Sequence, residues 1–402
     1  MLPIIAFGGG SFGSIWIHWN RVLLKKEGKM ELAVLGAGNG GIAIAADMTL
    51  AGHKVRLFEF PQFKENLEPL KRAGGIHLVG VGRKGFAKLK VMTTIIEEAI
   101  NGLDMIVAAM PAFGHKPLAK LCAPYLRNSH IIILAPGSTL GCLEFLKVLK
   151  EEGGHPKIKI AEVHTLPYAC RGSDAEVRIL LEVKKLWLAA FPALDTPDVM
   201  AKFKELYPIS EPGKNILDVG MNNGNPIAHP GPALLNAGRV EYAKGEFYHY
   251  QEGITPHVAH IVQALDDERL ALCRKMEFPA IPTIERMYLT GYGITMSSLY
   301  DAFHTSPVFC GDHPIQGPKS VMDRYYVEDA AYGLVTWSSL GKTIGVPTPT
   351  IDAVIQLISV LHQKDYIAQG ERSLERFGLA GLTVQELNRF LETEELPGCH
   401  RK

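Results

Sequence analysis

The residues best suited to proton-transfer chemistry lie in two segments of the second half of the chain. The first, MNNGNPIAHPGPALLNAGRVE at residues 221–241, contains His229. An imidazole titrates near neutrality, so it can give and take a proton within one turnover. Pro230 follows directly and biases the His229 backbone toward an extended state, which would fix where the ring projects. Asn222 and Asn225 in the same segment are candidates for substrate contact. The second segment, DRYYVEDAAYGLVTWSSLGKTIGVPTP at residues 323–349, offers Arg324 and Asp329. The planar fork of Arg324 could hold a substrate carboxylate. Asp329 could orient the His229 ring and stabilise its protonated form. Each residue also has an ordinary reading. The chain has 15 histidines, and any one chosen blind is more often a surface or hydrogen-bonded structural residue, while Arg324, Glu328 and Asp329 could form a surface ion pair at a helix start. His229 and Asp329 are 100 positions apart, so only the fold can bring them together.

The elements that would have to position these residues begin with ELAVLGAGNGGIAIAADMTLAGHKVRLFEF, residues 31–60. Its order is strand, glycine turn, helix, second strand and terminal carboxylate, as a dinucleotide-binding βαβ unit requires. Leu32 to Leu35 is a short apolar run suited to a strand buried on both faces. Gly36 permits the tight turn, Gly38 leaves room for a pyrophosphate against the backbone, and Gly41 lets the helix approach the sheet. Asn39 and Gly40, in the same turn, are further candidates for cofactor contact, and the free N–H groups of the helix that follows favour an anion without a lysine. Glu59 ends the second strand, where a carboxylate can accept ribose hydroxyls and would repel a 2′-phosphate, so NAD is favoured over NADP. Arg56 could accommodate that phosphate, but strand alternation turns it to the face opposite Glu59.

Glycine spacing alone is weak evidence, because Gly8, Gly10 and Gly13 in AFGGGSFGS repeat it. The strand that should follow that copy carries the second glycine turn where an acid belongs, so the upstream copy reads as a decoy. Residues 1–29 lack a basic start and a small-residue cleavage site, and their apolar stretch is broken by glycines. They read as an extension outside the fold, consistent with an upstream start codon.

At 402 residues, with 47% hydrophobic and 21% charged positions, the chain suits a soluble two-domain protein. The formal net charge is zero, which gives no electrostatic case for nucleic acid or an anionic membrane as the main partner. Six dispersed cysteines without CxxC spacing suit reduced thiols in a cytoplasmic protein and indicate no metal site. Strands at Met105–Met110, His130–Ala135 and Lys159–Val163 alternate with helices at His115–Tyr125 and Leu140–Lys150, which predicts a mostly parallel sheet. Ile76 to Met92 reads as a hairpin excursion around GVGRKG. Prolines at 192, 197, 208 and 212 mark a transition, after which apolar residues recur at helical spacing, as in Val258–Met276 and Val354–His362. The expectation is α/β with a Rossmann domain over residues 30–204 and an all-α domain over residues 205–402. Pro111 and His115 in MPAFGH fall at a strand end where open sheets bind ligands, the former suited to the cofactor and the latter to substrate. Ser138, after the next strand, could donate to a carboxylate or cap the following helix.

GAGNGG at 36–41, MPAFGH at 110–115, LPYACR at 166–171, NGNPIAHPGPALLNAGR at 223–239, and RYYVEDAAYGLV with GVPTP within 324–349 together resemble the octopine/nopaline (opine) dehydrogenase family. The resemblance covers nearly everything from Met30 onward. It implies a Rossmann domain joined to a helical domain, with substrates in the cleft between them and His229 and Asp329 as the catalytic dyad. The implied reaction is NAD(P)H-dependent condensation of an amino acid's amino group with a 2-oxo acid such as pyruvate. Lys116 stands where some octopine-forming relatives have an amide, so no particular substrate preference carries over. Two other readings are open: a carbonyl reductase resembling glycerol-3-phosphate dehydrogenases and ketopantoate reductases, with Lys214 as its lysine, or a protein that senses NAD without turnover. A homodimer is compatible with all of these.

Overall fold

The computed structural model describes residues 29–154 and 157–396. The upstream glycine pattern, Gly8 to Gly13, and all but Lys29 of the segment expected to lie outside the fold are beyond the described residues. Among the described residues, twelve strands form two sheets: β1 (Glu31–Leu35), β2 (Lys54–Phe58), β3 (Ile76–Gly80), β4 (Gly85–Ala87), β5 (Val91–Thr93), β6 (Met105–Ala108), β7 (Ile131–Leu134), β8 (Lys159–Val163), β9 (Tyr168–Ser173), β10 (Glu176–Glu182), β11 (Leu186–Phe191) and β12 (Ser210–Pro212). The larger sheet has the order β12-β11-β8-β7-β6-β1-β2-β5 and is parallel except where β11 meets β8. Strand β1 is central, paired in parallel with β2 on one side and β6 on the other. Leu32, Ala33 and Val34 are wholly buried, as the unbroken apolar run requires. The chain order reverses at β1, so a crevice opens beyond the carboxyl ends of β1 and β6, where the glycine turn and Pro111 lie.

The expected hairpin is present as the antiparallel pair β3 and β4. It belongs to a second sheet, ordered β4-β3-β10-β9, whose β9–β10 half was not expected, although β10 alternates exposed polar and buried apolar residues from Glu176 to Ile179. Strand β9 reads YACRGS and ends in polar and small residues without alternation. Its Gly172 N–H donates to Asn39 Oδ1 at 3.0 Å, which ties this sheet to the start of the first helix. Strand β12 lies past residue 204, so the main sheet continues beyond the expected junction.

After β12 the chain is helical. Helix Pro256–Lys275 is started by Thr255, whose hydroxyl accepts from Val258 N, and helix Pro349–His362 packs against it. Asp266 on the former accepts the backbone N–H and the hydroxyl of Thr283 at 2.7 and 2.8 Å, anchoring helix Thr283–Thr290. One apolar cluster runs without a break from the sheet face, with Leu35 and Phe145, into the helical part, with Trp337 and Ile351. A second cluster covers the other face of the sheet with Val34, Val107 and Phe203. The two halves therefore share a core, and the cleft between their outer ends is set by packing on both sides. No helix among the described residues is long and apolar enough to cross a membrane.

Candidate active site

His229 stands between two short helices, Asn225–Ala228 and Pro230–Leu235. Its backbone is in the right-handed helical region, with φ −106° and ψ −62°, not the extended state expected from Pro230. The bonds His229 N to Asn225 O and Ala233 N to His229 O continue the helical path through it and outweigh the proline's bias. Asp329 reaches the ring from the far segment. Its Oδ2 lies 2.7 Å from His229 Nδ1, with both side chains almost wholly buried. The close approach has a visible cause: a Cβ at Gly333 would lie 2.4 Å from Pro226 Cγ, so glycine lets the Asp329 segment press against the helix that leads into His229. From Asp329 to Leu334 that segment is a π-helical turn, an irregularity that re-aims side chains and is frequent at functional sites.

Three aromatic residues complete the setting of the imidazole. Tyr325 stacks on the ring at 3.8 Å and 9°, Tyr250 Oη lies 2.8 Å from Nε2, and His249 meets it edge-on. Burial pushes His229 well below its ordinary value, and the Arg324 charge adds to the effect. Burial pushes Asp329 up to about 7, with Arg324 acting against it. With Asp329 ionised, its carboxylate accepts from the Nδ1–H, which leaves Nε2 to accept from the Tyr250 hydroxyl.

His229 and Tyr250 line a cleft of about 530 Å³ between the two halves. Its walls include Gly38, Asn39, Gly40 and Pro111 from the sheet side and Asn225, Arg324 and Glu328 from the helical side. Arg324 and Glu328 form an ion pair at 3.4 Å, but with Glu328 buried it is not the surface ion pair expected as the alternative. Asp329 is not part of it, and the Arg324 side chain keeps 45% exposure toward the cleft. The other oxygen of Glu328 accepts from Ala112 N at 2.8 Å, linking the arginine's partner to the loop after β6.

Three expected substrate contacts are placed elsewhere. Asn222 is buried and donates from Nδ2 to the Asp218 carbonyl at 3.0 Å, because it ends helix Ile216–Met221 and folds back along it. His115 is wholly buried, and its Nδ1 accepts from Arg372 at 2.8 Å. Ser138 neither lines the cleft nor caps a helix; its carbonyl accepts from Arg372, and the next helix starts at Gly141. Arg372 explains both displacements, since it also takes the carbonyls of Gly137, Thr139 and Ala112 and the carboxylate of Glu144. Lys214 donates to the Glu277 carbonyl and does not line the cleft.

The dinucleotide half fits its expected ligand. Gly36 has φ +106°, and a Cβ at Gly41 would fall 1.8 Å from the Gly36 carbonyl oxygen, so this turn and helix need glycine at both positions. Space is open at Gly38. Helix Asn39–Leu50 has no side-chain cap and no acid in its first turn, leaving its leading N–H groups for a pyrophosphate. Glu59 directly follows β2, close to where it was expected, but its carboxylate is turned onto the glycine turn. Oε2 accepts from Ala37 N and Asn66 Nδ2, both at 3.0 Å, and Oε1 accepts from Phe60 N. Arg56 is held by Glu31 and the carbonyls of Glu98 and Asn101.

Sequence reasoning missed Tyr250, Tyr325, Arg171 and Arg286, which all line the cleft. Arg171 stands at the end of the quoted LPYACR segment and Tyr325 beside Arg324, so both were within reach. Tyr250 and Arg286 lie in stretches with no motif.

A family model described as NAD/NADP octopine/nopaline dehydrogenase, alpha-helical domain, matches residues 212–362. Opine dehydrogenase of Arthrobacter sp. (strain 1C) is 34% identical over 361 residues, covering 90% of this chain and 98% of that protein. Two solved structures of octopine dehydrogenase share the fold: one with NADH and L-arginine at a TM-score of 0.69 and 19% identity, the other with NADH and pyruvate at 0.68 and 20%. Each covers 92% of this chain and all of the other. The quoted motifs, the paired His229 and Asp329, and this end-to-end similarity establish that the chain belongs to the octopine/nopaline (opine) dehydrogenase family.

Proposed function

We infer that this protein is an NAD(P)-dependent opine dehydrogenase. It condenses the amino group of an amino acid with a 2-oxo acid such as pyruvate to an N-(carboxyalkyl) amino acid, and runs the reverse oxidation. The observation that carries this reading is the His229–Asp329 pair at 2.7 Å, on a cleft whose other wall is the glycine turn. Addition of the amine to the keto carbon forms a C–N bond and gives a carbinolamine. Losing water from it breaks the C–O bond and requires a proton at that oxygen, which the His229 imidazolium supplies. When bound, the nicotinamide supplies the hydride that reduces the resulting imine carbon. Asp329 holds the His229 tautomer and offsets the imidazolium charge, and Arg324 pairs with a substrate carboxylate to fix the face presented for reduction.

NADH is the preferred form in this reading, because Arg56 is already held by Glu31 and two carbonyls and Glu59 would repel a 2′-phosphate. The dinucleotide-binding unit is taken to end at β12, near residue 212, where the helical family model begins. A cytoplasmic homodimer without nucleic-acid partners suits the zero net charge and the free cysteines of the described residues. NADH oxidation across a grid of 2-oxo acids and amino acids tests the function. Turnover only with both present is expected. Turnover with the oxo acid alone would instead identify a carbonyl reductase, and tight NADH binding without turnover a sensor.

A further inference from the structure

The mechanism above uses one cation, Arg324, yet each substrate of the condensation brings a carboxylate and the product carries two. Two further guanidinium groups line the same cleft, Arg171, which donates to the Cys170 carbonyl, and Arg286. Arg286, on helix Thr283–Thr290, lines it together with Gly224, Tyr250 and Tyr292. It is 8% exposed, and among the described residues its guanidinium has no hydrogen-bond or ion-pair partner. The other deeply buried arginines differ sharply. Arg269 is paired with Asp266 and with the carbonyls of Met221 and Ile281. Arg372 is paired with Glu144 and with several carbonyls. Arg286 alone of the three keeps five N–H donors in reserve.

Its position is built rather than incidental. A Cβ at Gly224 would lie 2.4 Å from its Nη2, so the guanidinium rests against the backbone just ahead of the His229 helix. The anchoring of Thr283 by Asp266 fixes the helix that carries it. Burial pushes Arg286 down to about 10, with Arg269 adding repulsion, so it is still a cation at neutral pH. A charge buried without a partner is costly until something of opposite sign completes it. The surrounding wall of Tyr250, Tyr292, Phe303 and Phe309 keeps the dielectric low and would strengthen such a pairing.

We propose that Arg286 binds the second substrate carboxylate, so that Arg324 and Arg286 together hold the two carboxylates of the N-(carboxyalkyl) amino acid. This rests on the condensation reading, and it is tested separately from turnover by binding. Iminodiacetate, the simplest secondary amine with two such carboxylates, serves as the probe for the enzyme loaded with NAD⁺, read by calorimetry. Arg286→Gln should weaken iminodiacetate roughly 30-fold or more, as expected for removing one partner of a buried charge-assisted contact. NADH affinity should stay within about twofold, since no cofactor contact is removed. Arg286→Lys should recover part of the loss. Gly224→Ala, which crowds the guanidinium without removing it, should weaken the probe in the same selective way and serves if the glutamine variant does not fold. In steady-state assays, the substrate whose KM rises identifies whether Arg286 takes the carboxylate of the oxo acid or of the amino acid. Unchanged iminodiacetate affinity in Arg286→Gln, no binding of it to the wild-type enzyme, or an equal loss of NADH affinity would each overturn the proposal. Binding without turnover of any substrate pair would remove the condensation reading and leave the Arg286 site standing as a dicarboxylate site.

Discussion

The Tyr250 hydroxyl lies 2.8 Å from His229 Nε2, on the opposite side of the ring from the Asp329 contact at Nδ1. Asp329 takes the Nδ1–H, so Tyr250 donates into the Nε2 lone pair. Burial holds the phenol well above its ordinary value and keeps it a donor. A hydrogen bond to the neutral imidazole stabilises that form and acts in the same direction as burial. Removing it in Tyr250→Phe should raise the His229 pKa, because the neutral ring loses a hydrogen bond. Condensation needs the imidazolium, so its rate falls as pH rises through that pKa. The alkaline limb of the pH–rate profile should therefore move to higher pH in the variant. A limb that stays in place or moves down would show that Tyr250 does not set the proton affinity of His229.

Loss of either dyad member should separate chemistry from cofactor binding, because the ring lies on the helical side and the glycine turn on the sheet side of the cleft. His229→Gln should abolish turnover and leave the NADH dissociation constant unchanged. Asp329→Asn keeps the shape but no longer fixes the tautomer or offsets the imidazolium. The comparable change in a serine protease triad costs about 10⁴-fold in kcat, and a loss of that order is expected here. Substantial turnover in His229→Gln would remove the catalytic assignment.

The parts of the fold that were legible in the sequence are those governed by local rules. The glycine turn, β1 and β2 follow from a short apolar run, three glycines and a terminal acid within one segment. His229 and Asp329 were recognisable by type, but their meeting depends on Gly333 packing against Pro226, a long-range contact with no periodicity. His115, Ser138 and Asn222 lie close in the chain to residues that line the cleft, yet their side chains or carbonyls are turned into the interior. One arginine 234 residues beyond Ser138 gathers the loops around Ser138 and His115, and nothing in MPAFGH or APGST points to it.

That arginine yields a stability prediction. Arg372 is wholly buried and bonds three consecutive carbonyls, Gly137 to Thr139, along with Ala112 and Glu144. Ser138, Thr139 and Leu140 all have φ between 54° and 65°, a left-handed run of non-glycine residues that costs about 1–2 kcal/mol at each position. Arg372 is what holds this run against the helical half. Arg372→Gln should leave Glu144 without its cation and the carbonyls short of donors, lowering stability by about 3–5 kcal/mol. The urea midpoint measures this. A loss below about 1 kcal/mol, within the range of an exposed pair, would mean that the network does not hold the loop.

Glu162 on β8 makes a prediction about pH that is independent of the active site. Its side chain is wholly buried, Oε2 accepts from Cys142 N at 3.1 Å, and Oε1 has no partner among the described residues. Burial pushes its pKa from 4.5 up to about 7, with the Cys142 N–H and the Arg372 charge acting against it. Between these two values the unfolded chain has released the proton while the folded protein keeps it, so unfolding releases a proton and stability falls as pH rises. The contribution is fully present below the unfolded value and is lost as pH passes the folded one. The slope is about 1.4 kcal/mol per pH unit, and the total is about 3 kcal/mol. Glu162→Gln carries no titrating proton and keeps an acceptor for Cys142. Its stability relative to wild type should therefore improve when urea midpoints at about pH 5 and about pH 8 are compared. A difference that does not change with pH, or that favours wild type at the higher pH, would show that Glu162 is ionised in the folded protein throughout.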